Sequence, residues 1–211
     1  MNDPGPRETG LRERKKQRMY ETVSETAIRL FLEKGFDAVS VAEVAAAAEI
    51  SKPTLFRYFP AKEDLVLHRI ADHEQEAARV VAEAEEGAPL RALRRHFLDG
   101  LERRDPVTGL NDDPRVLAFH SLLYGTPALV ARVYAYQQRS EAALAEALGG
   151  DLDARLAAGQ IIAVLRILAN ENWRRIADGE SLEEVREDAV AAAERAFGRL
   201  ERGLPQLAPA R

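Results

Sequence analysis

Apolar positions recur at helical spacing along almost the whole chain. Val23, Ala27, Leu30 and Phe31 fall on one face of a helix that Gly35 closes in the turn EKGF. Ser40, with Glu43 three residues on, has the form of a capping box and opens a short helix, VAEVAAAAE, ending near Glu49. Ser51 caps a third short helix, with Pro53 in its first turn where a missing N–H costs nothing, and Pro60 ends it. A long fourth helix is predicted from about Lys62 to Glu86, closed by Gly87 and Pro89. Beyond it, Asp105–Pro106, Asp113–Pro114, Thr126–Pro127, Gly149–Gly150 and Gly179 punctuate helices near 89–104, 114–124, 127–148, 154–178 and 181–201. No run of alternating β-branched residues stands out as a strand. The pattern predicts an all-α protein of about nine helices: a disordered tail over 1–9, a helical head over 10–61 and a helical body over 62–211.

Composition narrows the classes of function. The chain has 211 residues, 46% of them hydrophobic, which is ample for a packed core. Its longest apolar runs, such as Ile161–Leu165, are about five residues against the ~20 that span a bilayer. The start, MNDPGPRETG, lacks the apolar core of a signal peptide, and the absence of cysteine excludes disulfides, cysteine-based zinc sites and thiol catalysis. A cytoplasmic protein without membrane partners is expected.

Charge divides the chain unevenly. Residues 1–62 carry 11 Lys+Arg against 9 Asp+Glu, a net of +2, while the remainder carries −7, together giving −5. All five lysines lie in the first segment, and RETGLRERKKQR over 7–18 holds six basic and two acidic side chains. A phosphate-binding head on an acidic body fits this asymmetry, as does a solvated helix face.

The stretch ISKPTLFRYF, residues 50–59, decides between them. Two helices of about eight residues joined by a tight turn have helix-turn-helix geometry, in which the second lies in the major groove. Ser51 and Thr54 can donate to phosphate or base edges from the positive end of that helix. Lys52 and Arg57 supply charge, and Arg57 can read a guanine bidentately. Tyr58 offers a ring to pack and a hydroxyl for phosphate, while Leu55 and Phe59, four apart, anchor the helix to the core.

The run from Leu11 to Leu67, above all SKPTLFRYFPAKEDL, resembles the DNA-binding head of the TetR family, tetracycline-repressor-like regulators. The resemblance implies a homodimer on a palindromic double-stranded DNA operator and a small-molecule effector, with no cofactor, metal or catalytic residue. Position by position, it implies that Ser40 binds phosphate, that Ser51, Lys52, Pro53, Thr54 and Arg57 face the groove, and that Lys62 clamps a phosphate. Phe56 stands where the family often has tyrosine and lacks its hydroxyl; Tyr58 follows the pattern. Glu49 occupies a turn position usually held by glycine, and Ala61 replaces the usual capping serine. The basic start of the first helix, Arg12, Arg14, Lys15, Lys16 and Arg18, either flanks the DNA or is simply solvated.

In the body, Leu182, Val185, Ala189, Ala193, Ala196 and Leu200 step by threes and fours as an apolar seam, which suits a dimer interface or an intrachain core. Ser181 with Glu184 is another candidate capping box. Phe97, His120, Tyr124, Tyr134, Arg166, Asn170 and Trp173 are candidates to line an effector pocket; Arg166 meets either an anionic ligand or a buried carboxylate. The segment GLRERKKQR and the C-terminal half also loosely resemble actinobacterial regulators related to the mycofactocin regulator, which implies a largely apolar, acyl or acyl-CoA-like effector. Walker, dinucleotide-binding and HExxH motifs are absent, so an enzyme is not expected. The reading from another class is a helical adaptor that binds only protein.

Overall fold

The computed structural model describes the backbone of residues 6–71, 73–85, 88–204 and 207; the side chains of 6–13 and of 15 also lie outside the described residues. Among the described residues all regular structure is helical. The order is α1 (Pro6–Lys34), α2 (Val41–Ala47), α3 (Lys52–Tyr58), α4 (Asp64–Ala71), α5 (Glu76–Ala82), α6 (Pro89–Glu102), a 3-10 turn (Pro106–Thr108), α7 (Pro114–Gly125), α8 (Pro127–Ala147), α9 (Leu152–Ala177) and α10 (Leu182–Gly203). Helix α1 already runs from Pro6, and the rest of the tail read over 1–9 lies outside the described residues. No single helix among the described residues is long and apolar enough to cross a membrane.

The chain forms two compact units, one of Met1–Ala71 with Ser121–Val133, the other of Asp72–His120 with Tyr134–Arg211. The division differs from the sequence reading of a head over 10–61, because α4 and the junction of α7 and α8 pack with the first unit. In that unit Val23, Ala27 and Phe31 of α1 are buried, as are Leu65 and Val66 of α4. Ser24 is buried beside them and donates its hydroxyl to the Leu65 carbonyl at 2.7 Å, fixing α4 on α1. Asp64 accepts from the Ala61 N–H at 2.9 Å, which supplies from the helix side the cap that Ala61 cannot. It also pairs with Arg132 at 2.8 Å, joining the start of α4 to α8.

Helices α2 and α3 begin as their sequences predict. Ser40 and Ser51 have extended backbones, and their hydroxyls accept from the N–H groups of Glu43 and Thr54 at 3.1 and 3.2 Å. The capping box at Ser40 is half made, since the Glu43 carboxylate is turned to Lys34, 2.5 Å away. Between the helices Glu49 sits at φ 55, the left-handed conformation that glycine adopts without strain. Glu49→Gly is therefore expected to raise head stability by about 0.5–1 kcal/mol in urea titration, strain relief exceeding the added chain entropy.

The fourth helix predicted from Lys62 to Glu86 is not continuous: α4 ends at Ala71 and α5 starts at Glu76. The break coincides with the boundary between the units, and polar partners in the second unit hold the turn. Glu74 pairs with Arg139 at 2.7 Å. Glu76, its side chain 22% exposed, accepts from His73 Nδ1 at 2.7 Å and from His96 Nε2 at 2.8 Å. A carboxylate can only accept, so both imidazoles present N–H to it. The hydrogen bond from His73, with His96 behind it, holds the Glu76 carboxyl at about 2 against the desolvation that burial imposes. The same burial, with Glu74 and Glu76 adding to it, pushes the Tyr136 phenol up, while Arg139 opposes the shift.

A depressed folded-state carboxyl stabilises above its unfolded range near 4.3 and loses that contribution as pH falls through about 2. Stability of the second unit should fall by roughly 1–3 kcal/mol between pH 6 and pH 2 on this account. Glu76→Gln should flatten the slope; an unchanged pH profile in urea titration counts against it.

The core of the second unit is built on α6, α9 and α10. Leu90, Leu93, Phe97 and Leu101 of α6 meet Ile161 of α9 and Phe197 of α10 in one buried cluster. The seam on α10 belongs to this core. Val185, Ala189, Ala193 and Leu200 are buried within the chain, and Leu182 and Ala196 are half-buried. Four of the six positions read as a dimer interface are thus covered within the chain, and Leu182 and Ala196 keep part of their surface open: a 3–4 spacing reports a buried stripe without saying whose surface covers it.

Candidate nucleic-acid interface

Helix α3 is held from one side and open on the other. Leu55 is fully buried and Phe59, which ends the helix, is 2% exposed. Tyr58 is half-buried, its ring edge-on to Tyr20 of α1 with centroids 5.3 Å apart. Tyr20 also meets Phe59 at 5.1 Å and stacks on His68 of α4 at 4.7 Å, so one aromatic joins three helices. Sequence reasoning did not single out Tyr20, although it continues the α1 stripe one turn before Val23 and Ala27.

The open side carries Ser51, Lys52, Pro53, Phe56 and Arg57, all exposed, with Thr54 half-buried. The Ser51 and Thr54 hydroxyls are 2.7 Å apart, so one hydrogen joins them and the other is left for an outside acceptor. The Lys52 ammonium lies 5.8 Å from the Phe56 ring centroid. Arg57 donates from Nη2 to the Tyr58 hydroxyl at 3.1 Å, its guanidinium carbon 4.8 Å from that ring's centroid. The Tyr58 hydroxyl predicted for phosphate is thus engaged in orienting Arg57.

Ser40 is exposed at the start of α2, its hydroxyl serving as cap. Lys62 departs from expectation. Its ammonium donates to the Phe36 carbonyl and lies over the rings of Phe36 and Phe31, 4.3 and 5.4 Å from their centroids. The group read as a phosphate clamp is turned inward, where a carbonyl and two π-faces satisfy it. In the basic arm, Arg14, Lys16 and Arg18 are exposed on α1, with Lys16 5.9 Å from the Tyr20 ring centroid; the side chains of Arg12 and Lys15 lie outside the described residues.

The candidate pocket residues are dispersed. Phe97 is part of the second unit's core, and Tyr134 is 57% exposed on α8. His120 and Trp173, half-buried in the second unit, are brought together with ring centroids 5.7 Å apart. Tyr124 is half-buried in the first unit, and Arg166 and Asn170 are half-buried in the second. Arg166 forms no ion pair among the described residues. No group of three or more His, Asp or Glu among the described residues is placed to hold a metal ion.

The family model described as bacterial regulatory proteins, tetR family, matches residues 24–68, which span this interface. The HTH-type transcriptional regulator TcmR of Streptomyces glaucescens is 32% identical over 183 residues, covering 82% of this chain and 80% of TcmR. The chain belongs to the TetR family. It is a DNA-binding transcriptional regulator, and its relatives in that family are not enzymes. Among solved structures, NalD, the secondary repressor of the MexAB-OprM multidrug efflux pump in Pseudomonas aeruginosa, has a TM-score of 0.57 at 18% identity, over 85% of this chain and 96% of its own. SmeT in complex with triclosan has a TM-score of 0.59 at 14% identity, over 86% of this chain and 90% of its own. At such identities both speak for the fold alone.

Proposed function

We propose that this TetR-family chain is a cytoplasmic, ligand-responsive repressor that binds a palindromic operator as a homodimer, with α3 in the major groove. The observation that carries the reading is the two-sided character of α3. Leu55 and Phe59 hold it from behind, while Ser51, Lys52, Pro53, Phe56 and Arg57 are exposed together. A single seven-residue helix reads too few bases for a unique site, and two-fold pairing about one DNA turn apart supplies the rest. With the α10 seam inside the core, the apolar surface left for a second copy includes Leu152, Leu156 and Ile167 of α9, which are 61%, 56% and 56% exposed.

The effector reading is supported by the aromatic pair His120 and Trp173 in the second unit, by Arg166, which forms no ion pair among the described residues, and by the small molecule held by SmeT. A largely apolar ligand with an anionic end, such as an acyl chain, suits that set. It relieves repression only by binding the DNA-competent and DNA-incompetent states with different affinity.

The test is binding of the purified full-length protein to DNA flanking its own gene, against scrambled competitor at two salt concentrations. A two-fold symmetric protected site is the expected result. Arg57→Ala should weaken the preferred site by about 1–3 kcal/mol and relax specificity at one position in each half-site. An unchanged sequence preference removes Arg57 from the base readers. If neither flanking nor genome-wide selected DNA binds above scrambled, the reading of a palindromic operator held by α3 is overturned.

A further inference from the structure

The outward side of α3 is not uniformly polar. Pro53 and Phe56 stand three residues apart on it, both exposed, with Lys52 and Arg57 beside them. Phe56 leaves 42% of its surface open, although its neighbour Leu55 is completely enclosed. A lone exposed aromatic is ordinary on a protein surface; its place on the open side of this short helix makes this one informative. The ring carries no donor or acceptor, so it can neither hydrogen-bond a base edge nor reach a phosphate as a hydroxyl would. Within the major groove, the apolar group that a base edge presents is the C5 methyl of thymine.

We infer that Phe56 is a specificity-determining residue that reads a thymine methyl in each half of the operator, with Pro53 extending the apolar contact. The inference rests on the assignment of α3 to the groove. It also assigns the neighbours complementary tasks. Lys52, whose ammonium is near the Phe56 ring, and Arg57, oriented by Tyr58, meet phosphate or guanine on either side of the methyl. The surface covered on binding is then apolar against apolar at its centre and charged at its edges.

Full-length protein is used to enrich sites from a random-sequence duplex library. Each thymine of the enriched site is then replaced singly by deoxyuridine, which deletes the methyl and leaves base pairing intact. The wild type should lose about fourfold in affinity at one thymine per half-site, the weight of one buried methyl. Phe56→Ala should bind the thymine duplex more weakly and no longer distinguish it from deoxyuridine at that position, whereas Phe56→Leu should keep part of the difference. Indifference of the wild type to deoxyuridine at every position overturns the inference, and so does undiminished methyl discrimination by Phe56→Ala. Enrichment without methyl dependence defeats this inference alone; a library from which no sequence is enriched defeats the groove assignment of α3 and this inference with it.

Discussion

Leu55→Ala is expected to cost the head roughly 2–5 kcal/mol and to abolish specific DNA binding. The size follows from how little else holds α3. The helix has seven residues, too few to persist alone in water, and Leu55 is its one buried residue. Phe59 at its end and Tyr58 against Tyr20 are the remaining anchors. Truncation at a fully enclosed position removes transfer free energy and leaves a cavity that a capped, proline-started helix closes poorly. Leu32→Ala is the matched control, because Leu32 is 42% exposed on α1 and its loss should be nearly neutral. Thermal melts and binding to the enriched duplex, measured on the same samples, decide the matter. Retained specific binding with an unaltered melt would refute the claim that Leu55 anchors the reading helix.

Gly109→Ala should destabilise the second unit by about 2–4 kcal/mol, from strain and overpacking together. Gly109 has φ +73 and follows the 3-10 turn. A Cβ there would stand 1.9 Å from the Ala169 carbonyl oxygen and 3.0 Å from the Trp173 nitrogen, both backbone atoms of α9 that cannot swing away. The neighbouring tie explains why the loop cannot simply lift. Asn172, 5% exposed, donates from Nδ2 to the Thr108 carbonyl at 2.9 Å, so retreat of the loop strands a buried amide. Gly35→Ala is the informative comparison: it shares the left-handed backbone, φ +88, yet a Cβ would meet nothing within 4 Å. Its cost should be near 1 kcal/mol from backbone strain alone. Equal urea midpoints for the two variants would dismiss the steric part of the argument.

Local rules carried most of the helix boundaries. Ser40, Ser51 and Ser181 were readable as caps because a hydroxyl three residues before a free N–H has one main use, and all three make that bond. The positive φ at Glu49 matches what the family resemblance implied, since such heads usually hold glycine at that turn position. What was not readable depends on partners distant in sequence. The stretch from Leu65 to Ala82 has continuous helical periodicity, and its interruption arises from His96 and Arg139, on α6 and α8, drawing on Glu76 and Glu74.

At the interface, Ser51, Lys52, Pro53, Phe56 and Arg57 could be placed on an open surface because Leu55 and Phe59 fixed the opposite side. The inward turn of Lys62 could not, since a flexible ammonium goes wherever a carbonyl and π-faces happen to meet it. Nor could the sequence separate an intrachain from an interchain seam on α10. The pocket set suffered most: seven aromatic or polar residues on four helices specify no cavity until the helices are packed, which brings His120 against Trp173.

The pairing of Asp64 with Arg132 has a consequence for biosynthesis. The unit that contains the reading helix is discontinuous, interrupted after Ala71 and resumed at Ser121–Val133. At ~5–20 residues per second, a ribosome reaches residue 133 roughly 3–12 s after residue 71. During that interval the nascent head has its aromatic hub and its α1–α4 tie, but the start of α4 lacks its arginine, and Leu123 and Leu129, buried in the finished protein, are not yet made. The emerging chain is therefore obliged to wait for its own middle before the DNA-reading end is complete, and truncated translation products that stop short of Arg132 should be poor competitors for the operator.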